Sequence, residues 1–275
     1  MTSEPIFPSL EGFEPTRQTL QLYSRVISAV PRAHGQFHPK WWHISLKVQP
    51  DGLITDKVTL PDRRALRLKM DLLNHKILLI LDGAPVRTFS MMGGKSSTAL
   101  AGDVLAAVAE LGLTGKYDRE KFENEYDRIL AGDFLTGLIN ADRIFKQHRA
   151  TLSGETGPVQ LWPHGFDLAF EWFGTRVQVF EDHGEQKEFP SQLNLGFFPG
   201  GPGVAPYFYS NPWPFESDAL LGQPLPEGAR WHTEGWQGTM VPYESLAGDT
   251  NAEERLLTYA KRVFELAAPT LMAEW

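Results

Sequence analysis

The chain has 275 residues, 42% hydrophobic and 22% charged, a globular composition with length enough for a substantial core. Its net charge of −8 and the lack of any basic run argue against nucleic acid and anionic membranes as partners. It has no cysteine, which excludes disulfides, thiol nucleophiles, iron–sulfur clusters and thiolate zinc sites.

The opening "MTSEPIFPSLEGF" carries no basic segment followed by an apolar one, so it does not read as a secretory signal. The longest aliphatic run, "ILLIL" at 77–81, is too short to cross a bilayer, and a soluble cytoplasmic protein is expected. Pro15 and Thr16 open a helix in which Leu20, Tyr23, Val26, Ile27 and Val30 recur at helical spacing, and Pro31 is expected to stop it. In "WWHISLKV", Trp42, Ile44, Leu46 and Val48 alternate with His43, Ser45 and Lys47, which predicts a half-buried strand. Turns at "PDG", Asn74-His75 and Asp82-Gly83 join "LITDKVTL", the 66–72 alternation, "KILLIL" and "PVRTFSM" into an antiparallel meander. A helix from about Ser97 ends at Gly112.

A long helical region is predicted over 119–152, with Gly132 and Gly137 as its weak points. "FDLAFEWFG" alternates Phe166, Leu168, Phe170 and Trp172 with Asp167, Ala169 and Glu171. "EDHGEQKE" reads as a charged loop, with "SQLNLGFFPGG", "PYFYS" and "GTMVPYES" as further strands. Segment 211–228 is too rich in proline for regular structure. Thr250 and Glu253 form a capping-box pattern ahead of a last helix.

These elements predict one α+β domain over 1–275, with two similar halves at 15–112 and 119–270. Each half has an antiparallel sheet and flanking helices. The shared order fits a remote internal duplication and a chance likeness equally well.

Familiar motifs are few. "MMGGKSS" resembles the end of a phosphate-binding loop, but the glycine the full pattern needs is Phe89. His34, His38 and His43 could be read as a metal cluster, and a helical i, i+4 pair would bring two imidazoles together, but Pro39 and the strand pattern oppose a helix there and acidic ligands at useful spacing are missing. No metal site is therefore expected. His43, Asp71, His75 and Asp167 occupy polar strand faces, and an Asp accepting from a ring N–H would raise a histidine's basicity. A wet strand face also explains them without any function. Trp41, Trp42, Trp162, Trp172, Trp213, Trp231 and Trp236, with Tyr207 and Tyr209, suit either a ligand pocket or cover for the sheet ends.

Long ordered stretches then carry a resemblance. "LYSRVISAV", "DLLNHKILLILDG", "ADRIFKQHRATLSGETGPVQLWPHGFDLAF", "YFYSNPWPF" and "VPYES" resemble a bacterial family known as domain of unknown function 5996. The resemblance implies no activity or cofactor. In its pattern a His commonly stands where this chain has Gln160, and a His-Glu pair often precedes the segment that begins here at Gly196. This chain has "PSQLN" there, including Gln192.

A small-molecule-binding protein is expected, either without catalysis or an enzyme that uses no metal. His43 and Asp71 would supply acid–base chemistry. Trp42, His75, Trp162, His164, Asp167 and Tyr209 would contact the ligand. One rival is a protein-interaction module built on the aromatic 207–236 region. Another is a hydrolase pairing Asp167 with Glu171, although along one strand these lie roughly 13 Å apart.

Overall fold

The computed structural model describes residues 5–115, 126–182 and 185–273. The first half contributes α1 (Glu14–His34), β1 (Leu46–Gln49), β2 (Gly52–Thr55), β3 (Val58–Thr59), β4 (Ala65–Asp71), β5 (Lys76–Leu81), β6 (Ala84–Ser90) and α2 (Ser97–Glu110). The second half contributes α3 (Arg128–Arg149), β7 (Gln160–Trp162), β8 (Asp167–Asp182), β9 (Glu185–Phe198), β10 (Tyr207–Trp213), α4 (Ser217–Leu220), β11 (Arg230–His232), β12 (Gly238–Pro242) and α5 (Ala252–Ala267). The architecture is α+β, and every described strand pair is antiparallel.

All the described strands belong to one sheet, ordered β11-β12-β10-β9-β8-β7-β1-β2-β4-β5-β6, with β3 beside β4. The halves join where Leu46 of β1 faces Leu161 of β7. Both residues are fully buried, so the junction is apolar on its core side. Leu168, Phe197, Phe208 and Val241 form one core-facing row across four strands. The helices cover that face, with Leu20, Tyr23 and Ile27 of α1, Val104 of α2, Phe134 and Phe145 of α3, and Tyr259 of α5 in the same core. Each such side chain stabilises the fold by about 1.5–3 kcal/mol on burial.

Several local expectations are corrected. Pro31 does not end α1, because its carbonyl still accepts, and the Gly35 N–H takes it at 2.8 Å. The helix therefore runs on to His34. "WWHISLKV" is not all strand: Trp41 has φ of 59° and residues Trp42–Ile44 form a 3-10 turn, leaving β1 to start at Leu46. Gly132 and Gly137 do not break α3, whose described start is capped by the Asp127 carboxylate on the Ile129 N–H. The predicted start at 119–125 lies outside the described residues. Gly137 makes room for a neighbour, since a Cβ there would stand 2.7 Å from the Tyr243 hydroxyl.

In the charged 181–188 stretch, the described residues 181–182 and 185–188 extend the strands of a hairpin. β8 and β9 continue into it as a two-stranded arm, helped by the extended preference of Val177 and Val179. In 211–228, β10 persists to Trp213 and α4 forms. Thr250 does not cap α5: the residue before the helix is Asn251, without a side-chain cap, and Glu253 bonds Arg143 of α3 at 2.6 and 2.7 Å. No helix among the described residues is long and apolar enough to cross a membrane.

Candidate functional site

The sheet face turned away from the helices carries polar residues in register. Phe173, Gln192 and Trp213 form one row across β8, β9 and β10. Glu171, Asn194 and Asn211 form the next. Then come Gln160, Ala169, Gly196 and Tyr209, followed by the pairs Trp162 with Asp167 and Phe198 with Tyr207. Side chains in such a row are direct neighbours, with Cβ atoms about 5 Å apart.

Two glycines shape this floor. A Cβ on Gly196 would lie 2.3 Å from the Tyr209 ring, so only glycine lets the ring cross β9 toward β8. The Tyr209 hydroxyl then donates to Asp167 Oδ2 at 2.5 Å. A Cβ on Gly157 would lie 2.2 Å from Glu171 Oε2 and 3.3 Å from the Trp42 indole, so that backbone closes against both.

Residues 37–45 fold over this face. Lys40 Nζ pairs with Glu155 at 2.5 Å, and Trp42 stacks on His38 with centroids 4.3 Å apart. A cleft of about 430 Å³ remains between this segment and the arm. Lys40 and Trp41 line one side, Phe189 and Trp213 the other, with Glu171 and Phe173 on the floor.

Among the described residues, five buried polar atoms on this face have no hydrogen-bond partner: Trp42 Nε1, Gln160 Nε2, Glu171 Oε2, Asn194 Oδ1 and Asn211 Oδ1. Buried polar groups are normally paired, so such a cluster marks a place where something else supplies the partners. Two other depressions, of about 420 and 550 Å³, lie at the start of α5 and beside Arg128. Of these five residues Glu171 lines the cleft, and none lines either of the other two depressions.

Burial drives the electrostatics of the cleft. It pushes the Glu171 carboxyl up to about 7, against the pull of its own backbone N–H and of Lys40 and Lys47. Burial also raises Asp167, with the Tyr209 bond opposing. Gln160 is fully buried, and its amide oxygen accepts from Ser45 Oγ at 2.5 Å and Lys47 Nζ at 2.6 Å. Its remaining amide N–H is thereby turned away from that pair. Tyr209→Phe would leave the Asp167 carboxyl without its donor, and a loss of about 1–3 kcal/mol in urea unfolding is expected. Unchanged stability would mean that the bond contributes nothing.

A family model described as a family of unknown function (DUF5996) matches residues 7–275. The chain belongs to this family. No curated protein and no solved structure matches it.

In this DUF5996 member the sequence-predicted residues divide into two groups. Trp42, Trp162, Asp167 and Tyr209 share the polar face around Glu171, and the two tryptophan-bearing segments do meet, at the β1–β7 junction. His43 and Asp71 are not brought together. His43 is buried in the 3-10 turn beside Phe37 and Trp41, where its Nδ1 accepts the His38 N–H at 3.3 Å. Burial, with His38 nearby, lowers its pKa. Asp71 uses both carboxylate oxygens on Asn74, holding the β4–β5 turn. His75, at φ 55° in that turn, bonds the Tyr126 hydroxyl at 2.9 Å. His164 is exposed, and its carbonyl receives Gln21 and Arg25 from α1.

Among the described residues no three His, Asp or Glu side chains converge as metal ligands. In the 207–236 region Tyr207 and Tyr209 pack on Trp236, both at 6.0 Å, so these rings cover each other. The apolar residues left exposed nearest the cleft are instead Phe37, Trp41, Val177, Val179, Phe180 and Phe189. Sequence reasoning missed Lys40, Asn194 and Asn211, and named Gln192 only as a departure from the family pattern. The alternation in "SQLNLGFF" does place Gln192, Asn194 and Gly196 opposite the apolar set, which was a readable signal.

Proposed function

We propose that this protein binds a small polar molecule in the cleft above Glu171 and can exchange a proton with it through that carboxyl. One observation carries the reading: Glu171 lines the floor of an aromatic-lined cleft, in one row with Asn194 and Asn211, and its Oε2, turned toward Gly157 and Trp42, is buried without a partner. A mostly apolar concavity with a few convergent polar groups is the usual form of a small-ligand site. A carboxyl that titrates near neutrality suits general acid–base work. His43 and Asp71 support the covering turn and the β4–β5 turn in this reading. Asp167 and Tyr209 lie further along the same face, outside the cleft lining.

The test is a thermal-shift screen of the whole chain against metabolites of both charges. A ligand at a hundred times its dissociation constant adds about 2.7 kcal/mol, a shift of several degrees. The expected hit stabilises the wild type, keeps its effect in Glu253→Gln at the α5 depression, and loses it when Glu171→Gln and Trp213→Ala are combined. A shift that survives the double substitution, or no shift across the panel, would overturn the site.

A further inference from the structure

The cleft already holds a cation from the chain itself. Lys40 Nζ stands 3.3 Å from the Phe173 ring centroid and 5.6 Å from that of Trp42. An ammonium over an aromatic face is attracted by the ring quadrupole, most strongly where water is excluded. Trp41, Phe189 and Trp213 add further aromatic surface around the same space. The floor carries a carboxyl, Glu171, which accepts hydrogen bonds when ionised and one of whose oxygens has no partner. The amides of Asn194 and Asn211 beside it can turn to suit either role.

Lys40 is held there weakly. It lies in a segment without regular structure, and its partner Glu155 is 64% exposed, so the ion pair adds little. An anionic ligand would pair with Lys40 but would face Glu171 and Glu155. A cationic ligand meets the rings and both carboxyls once Lys40 swings out.

We propose that the cleft takes a small organic ammonium ion, primary or methylated, and that Lys40 is its intramolecular competitor. This rests on the reading that the cleft is a small-molecule site. The charged groups acting on Glu171 are Lys40 from the covering segment, Lys47 from β1 and Asp167 from its own strand. A bound ammonium favours the carboxylate, so binding expels the Glu171 proton and tightens as pH rises through about 7.

The experiment is calorimetric titration of the full chain with tetramethylammonium and n-butylammonium. Neopentyl alcohol serves as the neutral probe and acetate as the anionic one. Ammonium probes are expected to bind the wild type, and Lys40→Ala to bind them about tenfold more tightly. Lys40→Arg keeps a cation in place and should match the wild type. Glu171→Gln should weaken the ammonium probes by about tenfold and flatten their pH dependence. Ammonium binding that is unchanged or weaker in Lys40→Ala would overturn the competitor. Glu171-dependent binding of only the alcohol or acetate would overturn the ammonium class and keep the small-molecule site. Absence of binding by every probe and by the metabolite panel would overturn both.

Discussion

Glu171→Gln is expected to stabilise the protein at about pH 8 and to leave its stability near pH 4.5 almost unchanged. Burial raises the folded carboxyl from its ordinary 4.5 to about 7. The folded protein therefore holds a proton that the unfolded chain has released, across the whole window between those values. Stability falls as pH rises through that window, and the full penalty is present above about 7. The difference corresponds to at most about 3 kcal/mol, an upper value because Glu171 keeps some contact with solvent. Glutamine carries no titrating proton, so its curve lacks this slope. Asp167 is raised in both proteins and largely cancels from the comparison. Urea unfolding of both chains between about pH 4.5 and pH 8 reads the effect directly. Parallel curves would show that Glu171 titrates as an ordinary surface carboxyl, and the acid–base part of the proposed function would go with it.

Phe134→Ala is expected to cost about 3–5 kcal/mol, the usual range for emptying a fully buried aromatic position. The ring stacks on Phe13 at 4.9 Å and on Phe166 at 5.4 Å, and lies 6.5 Å from Phe197. It ties α3 to the start of α1, to the β7–β8 turn and to β9. Phe166 holds φ of 60° in that turn, directly before Asp167. A cavity beneath it would also loosen the strand start that aims Asp167 at Tyr209. Chemical denaturation measures the loss, with Ile129→Ala, 67% exposed, expected within about 0.5 kcal/mol of wild type. A loss in Phe134→Ala no larger than that control would refute the packing described here.

Much of the site's raw material was legible. The alternation in "FDLAFEWFG" put Asp167, Ala169 and Glu171 on one face, and the turns at "PDG", Asn74-His75 and Asp82-Gly83 fall between strands as expected. Trp42, Trp162, Asp167 and Tyr209 were singled out from residue type and pattern, and all four lie on the polar face. The pairing of His43 with Asp71 was not predicted correctly, because the alternation at 42–45 belongs to a 3-10 turn set by the positive φ of Trp41. Glu171 had been weighed only as a partner for Asp167, and Lys40 not at all.

The sequence by itself determined the excluded chemistries, the helical and extended segments, and which face of each strand is polar. Those properties depend on residue type and on periods of two and 3.6, which are local. Only the tertiary structure decided that Glu171 shares a row with Asn194 and Asn211, that residues 37–45 fold across that row, and that Lys40 rests on Phe173. Register and burial come from pairings across the whole sheet. A carboxyl's proton affinity follows the burial those pairings create, so no short stretch of sequence could contain it.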